Sequence, residues 1–103
     1  MHTQRLHHWK DKETRDLIAA ILSLKNAGEA ERFLRDLCTS EEINAFARRW
    51  QAAQLLARGE KYRDVAEEVG ASTTTVARVA EWLNNGRGGY QLILRRLGLV
   101  KGE

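Results

Sequence analysis

Apolar residues recur at intervals of three and four along almost the whole chain, and no stretch alternates long enough to suggest a strand. Leu17, Ile18, Ile21, Leu22 and Leu24 give a broad apolar face to a helix over about 12 to 25. Ala30, Phe33, Leu34 and Leu37 do the same over about 28 to 37. In the longest periodic run, Ile43, Phe46, Ala47, Trp50, Ala53 and Leu56 or Ala57 repeat at three and four, so a helix opened by Thr39 extends to about Arg58. Thr39 with Glu42 reads as a capping box, and Cys38 and Ile43 stand where a hydrophobic staple would sit. This helix, about 28 Å long at 1.5 Å per residue, is the expected scaffold, and Gly59 ends it. After two shorter helices come a flexible link at 84 to 89 and a last amphipathic helix over about 90 to 97, presenting Leu92, Ile93, Leu94 and Leu97. The expected fold is all-α, with six helices.

The two short helices carry the most specific pattern. In YRDVAEEVGASTTTVARV, residues 62 to 79, Val65, Ala66 and Val69 share one face of the first helix while Arg63, Asp64, Glu67 and Glu68 stay wet. The methyl of Ala66 permits a close helix crossing, and Gly70 suits the left-handed position that ends a helix. Ser72 is an N-cap whose hydroxyl can accept from the N–H of Thr74 or Thr75, and Val76 and Val79 form the inward stripe of the second helix. Thr73, Thr74, Ala77 and Arg78 remain on its outer face. Such a face is narrow enough for a major groove about 12 Å wide, with hydroxyls and methyls for base edges and a guanidinium for guanine or phosphate. The spacing is that of a helix-turn-helix at 62 to 83; a plain helical hairpin within a small bundle would share it.

Composition adds bounds. The 103 residues suit a single helical domain, over 12 to 98, preceded by a flexible basic arm at 1 to 11. A net charge of +3 permits a polyanionic partner without demanding one. Cys38, the single cysteine, excludes an intrachain disulfide and an intrachain thiolate cluster, and His2, His7 and His8 are not spaced to ligate a metal from one helix face. No apolar run approaches the roughly eighteen residues of a membrane span, so a soluble cytoplasmic protein is expected. No nucleophile stands beside a base and no phosphate loop follows a strand, so no enzymatic activity is expected. The first, second and last helices carry more apolar surface than a lone small chain can cover, which suggests a symmetric dimer; two-fold symmetry would place a second reading helix roughly 34 Å away along one DNA face.

From 37 to 83 the chain resembles the Trp repressor superfamily and, within it, the Trp-repressor-like YerC/YecD branch of small bacterial proteins. The resemblance is carried by TSEE opening the long helix, ARRW within it, LLARGE closing it and VGASTTTVARV as turn and reading helix, followed by LNNGRGGY. It implies an intertwined homodimer that binds double-stranded operator DNA and regulates transcription, as a repressor in the usual case. It also implies base contacts by Thr73, Thr74 and Ala77, and phosphate contacts by Arg63, Thr75 and Arg78; Lys61 and Arg87 are further phosphate candidates. A helix-turn-helix adaptor that binds proteins without reading sequence is the alternative.

In the Trp repressor, tryptophan lies between the long helix and the reading helix, flanked by two arginines that match Arg49 and Arg78, and Thr39 and Thr75 match further ligand-lining positions. The family has a glycine after the second arginine, where this chain has Val79, three carbons larger, and Trp50 exceeds the aliphatic residue usual beside the first. Overfilling a packed site costs about 1 to 3 kcal/mol. The expectation is therefore no tryptophan in the usual pose and no cofactor, although two arginines facing a cleft would suit another carboxylate or a phosphate.

Overall fold

The structure, a computed structural model, describes residues 7 to 100. Six helices run in the order α1 (Lys12–Leu22), α2 (Ala27–Leu37), α3 (Ser40–Ala57), α4 (Tyr62–Val69), α5 (Thr73–Asn85) and α6 (Gly89–Arg96), with no strand among the described residues. Contacts gather into two compact units, one ending at Thr39 and the other beginning at Ser40.

In the first unit, Asp11 caps α1 by accepting from the Thr14 N–H at 2.8 Å. That bond, with the Thr14 hydroxyl and nearby His7 assisting, holds the Asp11 carboxyl below its ordinary range. The expected arm lies outside the described residues over 1 to 6. Beyond it, the His7 ring hydrogen-bonds the Thr14 hydroxyl at 2.7 Å and meets the Trp9 ring edge-on at 5.1 Å.

Helix α1 stops at Leu22, three residues short of the periodicity-based expectation, because the chain prepares a second start. The Ser23 hydroxyl donates to the Ala20 carbonyl at 2.7 Å, and Asn26 accepts from the Glu29 N–H at 2.9 Å while Glu29 accepts from the Lys25 N–H at 3.0 Å. This pairing satisfies one helix-start donor and the N–H of the residue before the cap, and fixes the turn. Leu17, Ile18, Ile21 and Leu22 of α1, and Leu34 and Leu37 of α2, remain exposed, while Leu24, Ala30 and Phe33 are half-buried.

The second unit holds the core. Ala52, Ala53 and Leu55 of α3, Val65, Ala66 and Val69 of α4, Val76, Val79, Ala80 and Leu83 of α5, and Leu94 of α6 are all buried. The alanines keep the crossings tight, since a methyl fills less space than any branched side chain. Gly59 (φ 89°) ends α3 and Gly70 (φ 72°) ends α4, both left-handed, where any other residue would be strained. The first half of α3 differs from expectation: Phe46 and Ala47 face solvent, and Ile43, Ala45 and Trp50 are half-buried.

Helix α5 continues through Asn84 and Asn85, which were expected to belong to a flexible link. It then stops at Gly86, whose N–H donates to the Trp82 carbonyl at 2.9 Å. A Cβ at Gly86 would collide with that same carbonyl oxygen, so the stop needs glycine for its close approach. Of the four apolar residues expected on the last helix, only Leu94 is buried; Leu92 and Ile93 of α6 and Leu97, the C-cap just past it, are exposed.

Candidate nucleic-acid interface

Helices α4 and α5 meet across Gly70, Ala71 and Ser72, and the start of α5 is locked by its cap. The Ser72 oxygen accepts from the Thr75 N–H at 3.0 Å and its hydroxyl donates to the Thr75 hydroxyl oxygen at 3.0 Å. Inward, Val76 and Val79 are 0% and 1% exposed; outward, Thr73, Thr74, Ala77 and Arg78 all face solvent. The helix thus presents one short polar and methyl-bearing face on a fixed base. Thr75 stands between the two faces, half-buried, with its side chain engaged by Ser72.

Lys61 and Arg63 flank the first residue of α4 and are exposed, as is Arg87 in the turn before α6. Among the described residues neither Arg63 nor Arg78 is held in an ion pair. Both guanidiniums are therefore available to an external anion, and the unpartnered N–H groups at the uncapped start of α4 lie beside Lys61 and Arg63.

The residues matched to an effector cleft do not stand alike. Arg49 of α3 is exposed, with its guanidinium 5.1 Å from the centre of the Phe46 ring. Thr75 and Arg78 lie on α5, and Val79 is enclosed in the apolar cluster with Ala52, Ala53, Val65 and Val76, against which Trp50 also packs. Thr39 belongs to the first unit and is exposed.

One feature of this unit escaped the sequence reading. Trp50 of α3 and Tyr90 of α6 stack with ring centres 6.2 Å apart and planes at 18°. No periodicity links a mid-helix tryptophan to a tyrosine forty residues on; only the size of Trp50 hinted at an unusual neighbour. Burial pushes the Tyr90 phenol above its ordinary value of 10.0, and the nearby Arg49 charge partly offsets the rise. Because the folded value exceeds the unfolded one, this contribution to stability is full below about pH 10 and disappears as pH rises through the folded value. Ultraviolet titration is expected to show a late-ionising phenol that Tyr90→Phe removes; a late phase that persists in that variant would contradict the burial effect.

Comparison with known proteins agrees with this architecture. The family model described as Trp repressor protein matches residues 12–98. The chain is 42% identical over 88 residues to the uncharacterized protein YerC of Bacillus subtilis (strain 168), covering 85% of each chain. It is similar to the crystal structure of a TrpR like protein from Eubacterium eligens ATCC 27750, with a TM-score of 0.86 and 40% identity over 91% of this chain and 97% of that one. It is also similar to the crystal structure of a candidate Trp repressor from Staphylococcus aureus, with a TM-score of 0.85 and 34% identity over 99% of both chains. No helix among the described residues is long and apolar enough to cross a membrane. With the helical hairpin, its glycine turn and its capped second helix all in place, the chain belongs to the Trp repressor family.

Proposed function

We propose that the protein is a sequence-specific, DNA-binding transcriptional regulator, acting as a cytoplasmic homodimer and in the usual case as a repressor. The observation that carries the proposal is the split face of α5: Val76, Val79, Ala80 and Leu83 anchor it in the core, leaving Thr73, Thr74, Ala77 and Arg78 outward. A rigid helix with small hydroxyl and methyl groups at one end reads base edges, and flanking cations fix its register on the backbone. The role is regulatory rather than catalytic.

Thr73, Thr74 and Ala77 are assigned to bases, and Arg63, Thr75 and Arg78, with Lys61 and Arg87, to phosphates. Enrichment from random duplexes, run with and without tryptophan, tests the assignment: a selected motif supports direct readout, whereas dimerisation without any motif would favour an adaptor. Arg63→Ala or Arg78→Ala should weaken every duplex and flatten the log–log salt dependence by about one unit each. Unchanged affinity and slope in either variant would cancel that residue's role.

Pairing with a second copy is supported by the exposed Leu17, Ile18, Ile21 and Leu22 of α1, Leu92 and Ile93 of α6 and Leu97 just past it. A twin subunit also supplies the second half-site that one reading helix lacks. Sedimentation at micromolar concentration should give twice the chain mass, and a strictly monomeric species would rule out the two-headed arrangement.

Tryptophan in the family's usual pose is not part of the proposal. The enclosure of Val79 supports a filled cleft, which would leave Arg78 to phosphate instead of to a ligand carboxylate. Calorimetry with tryptophan should give no heat; micromolar affinity coupled to tighter operator binding would reverse this view.

A further inference from the structure

The far end of α5 is tied to the scaffold helix by contacts that leave the reading face untouched. Tyr90, the second residue of α6, stacks on Trp50 of α3. Gln91 beside it donates from Nε2 to the Leu83 carbonyl of α5 at 2.9 Å. That carbonyl is among the last four of α5, which have no partner within their own helix, so the bond fills a vacant acceptor. One turn on, Leu94 is 1% exposed and closes the contact on the core side.

We infer that α6 acts as a strap: the Trp50–Tyr90 stack and the Gln91–Leu83 hydrogen bond fix the angle at which α5 lies on α3. This makes Trp50, Tyr90 and Gln91 positioning residues for base readout that work without a small molecule. The inference rests on the DNA-reading proposal above. It deepens it by naming what holds the reading helix in pose.

Leverage gives the strap its effect. Thr74 and Leu83 are nine residues apart on one helix, about 14 Å at 1.5 Å per residue, so a tilt of about 4° at the Leu83 end moves the reading end by about 1 Å. Hydrogen bonds to base edges fail over a few tenths of an ångström, whereas attraction to a phosphate changes slowly with distance. Loosening the strap therefore damages sequence preference before it damages general affinity. Offset-stacked aromatic rings resist sliding through their quadrupoles, and the Leu83 bond resists rotation of α6 about its own axis.

The test compares Tyr90→Ala, which removes the ring, with Tyr90→Phe, which keeps it and loses only the hydroxyl. Each full-length variant is titrated at one salt concentration against the duplex selected by the unmodified protein and against a mixed-sequence duplex of equal length. Tyr90→Ala is expected to lose about tenfold on the selected duplex, the weight of one misread base pair, and less than about twofold on the mixed one. Tyr90→Phe is expected to match the unmodified protein on both. Gln91→Ala, which removes one hydrogen bond, serves if Tyr90→Ala does not fold, with an expected loss of about threefold confined to the selected duplex.

Equal losses on the two duplexes, no loss at all, or the same loss in Tyr90→Phe would overturn the strap. Amide exchange separates this from failure of the DNA reading itself. If the unmodified protein selects no sequence, that reading falls alone, and exchange decides the strap: faster exchange in Tyr90→Ala confined to Val76 through Leu83 supports it. An unchanged rate, or an even rise across α3, α4 and α5, overturns it.

Discussion

Val76→Asp and Ala77→Asp, one residue apart on α5, are expected to give opposite results. Val76 is 0% exposed and lies in the apolar cluster, where a carboxylate would have no cation or donor to meet it. An unpaired buried charge costs several kcal/mol, against a total stability of about 5 to 15 kcal/mol for a small domain. The second unit should therefore lose its cooperative melting transition, and DNA binding should vanish with the fold. Ala77 faces solvent, so Ala77→Asp should change stability by no more than about 0.5 kcal/mol. Yet under the proposed DNA-reading role it sets a negative charge against the duplex, and affinity for a selected duplex should fall at least about a hundredfold, as expected for a repelled charge within contact distance. Circular dichroism melting and fluorescence anisotropy read the two effects separately. Ala77→Asp that binds DNA like the unmodified protein would show that this face reads nothing.

Val79→Gly has the second large effect, and a useful control. Removing three buried carbons opens a cavity, and glycine also weakens the helix, for a combined loss of about 2 to 4 kcal/mol, of which only about 0.3 to 0.5 is helix propensity, valine being a poor helix former itself. Val79→Ala separates the two parts. If Val79 fills the cleft as proposed, added tryptophan should raise the melting temperature of Val79→Gly and leave the unmodified protein unmoved, by the linkage of binding to stability. Equal stabilisation of both proteins would mean that Val79 does not bar the cleft.

The helical hairpin was legible in the sequence because its signals are local. Gly70 takes the left-handed turn, Ser72 caps through Thr75, and the inward and outward residues of α4 and α5 fall as their spacing dictates. What escaped depends on competition or distance. Leu24 extends the apolar period of α1, but the Asn26 and Glu29 cap claims the chain first. Asn84 and Asn85 are indifferent helix formers, yet the anchored turn around Leu83 carries them into α5. The faces of α1, α2 and α6 were read correctly as apolar, but periodicity cannot say whether a face meets its own chain or another. For the site, the outward threonines and arginines stand where the pattern set them, whereas the Trp50 and Tyr90 pairing arises only from folding.

The methyl-lined crossings of the second unit have a mechanical corollary. Ala52, Ala53, Ala66 and Ala80 possess no rotamers, so joining the helices there forfeits almost no side-chain freedom. The same absence removes any soft cushion. A push received at the threonine tip meets few side chains at these crossings that can rearrange, so more of it passes into α3 as motion of the whole helix.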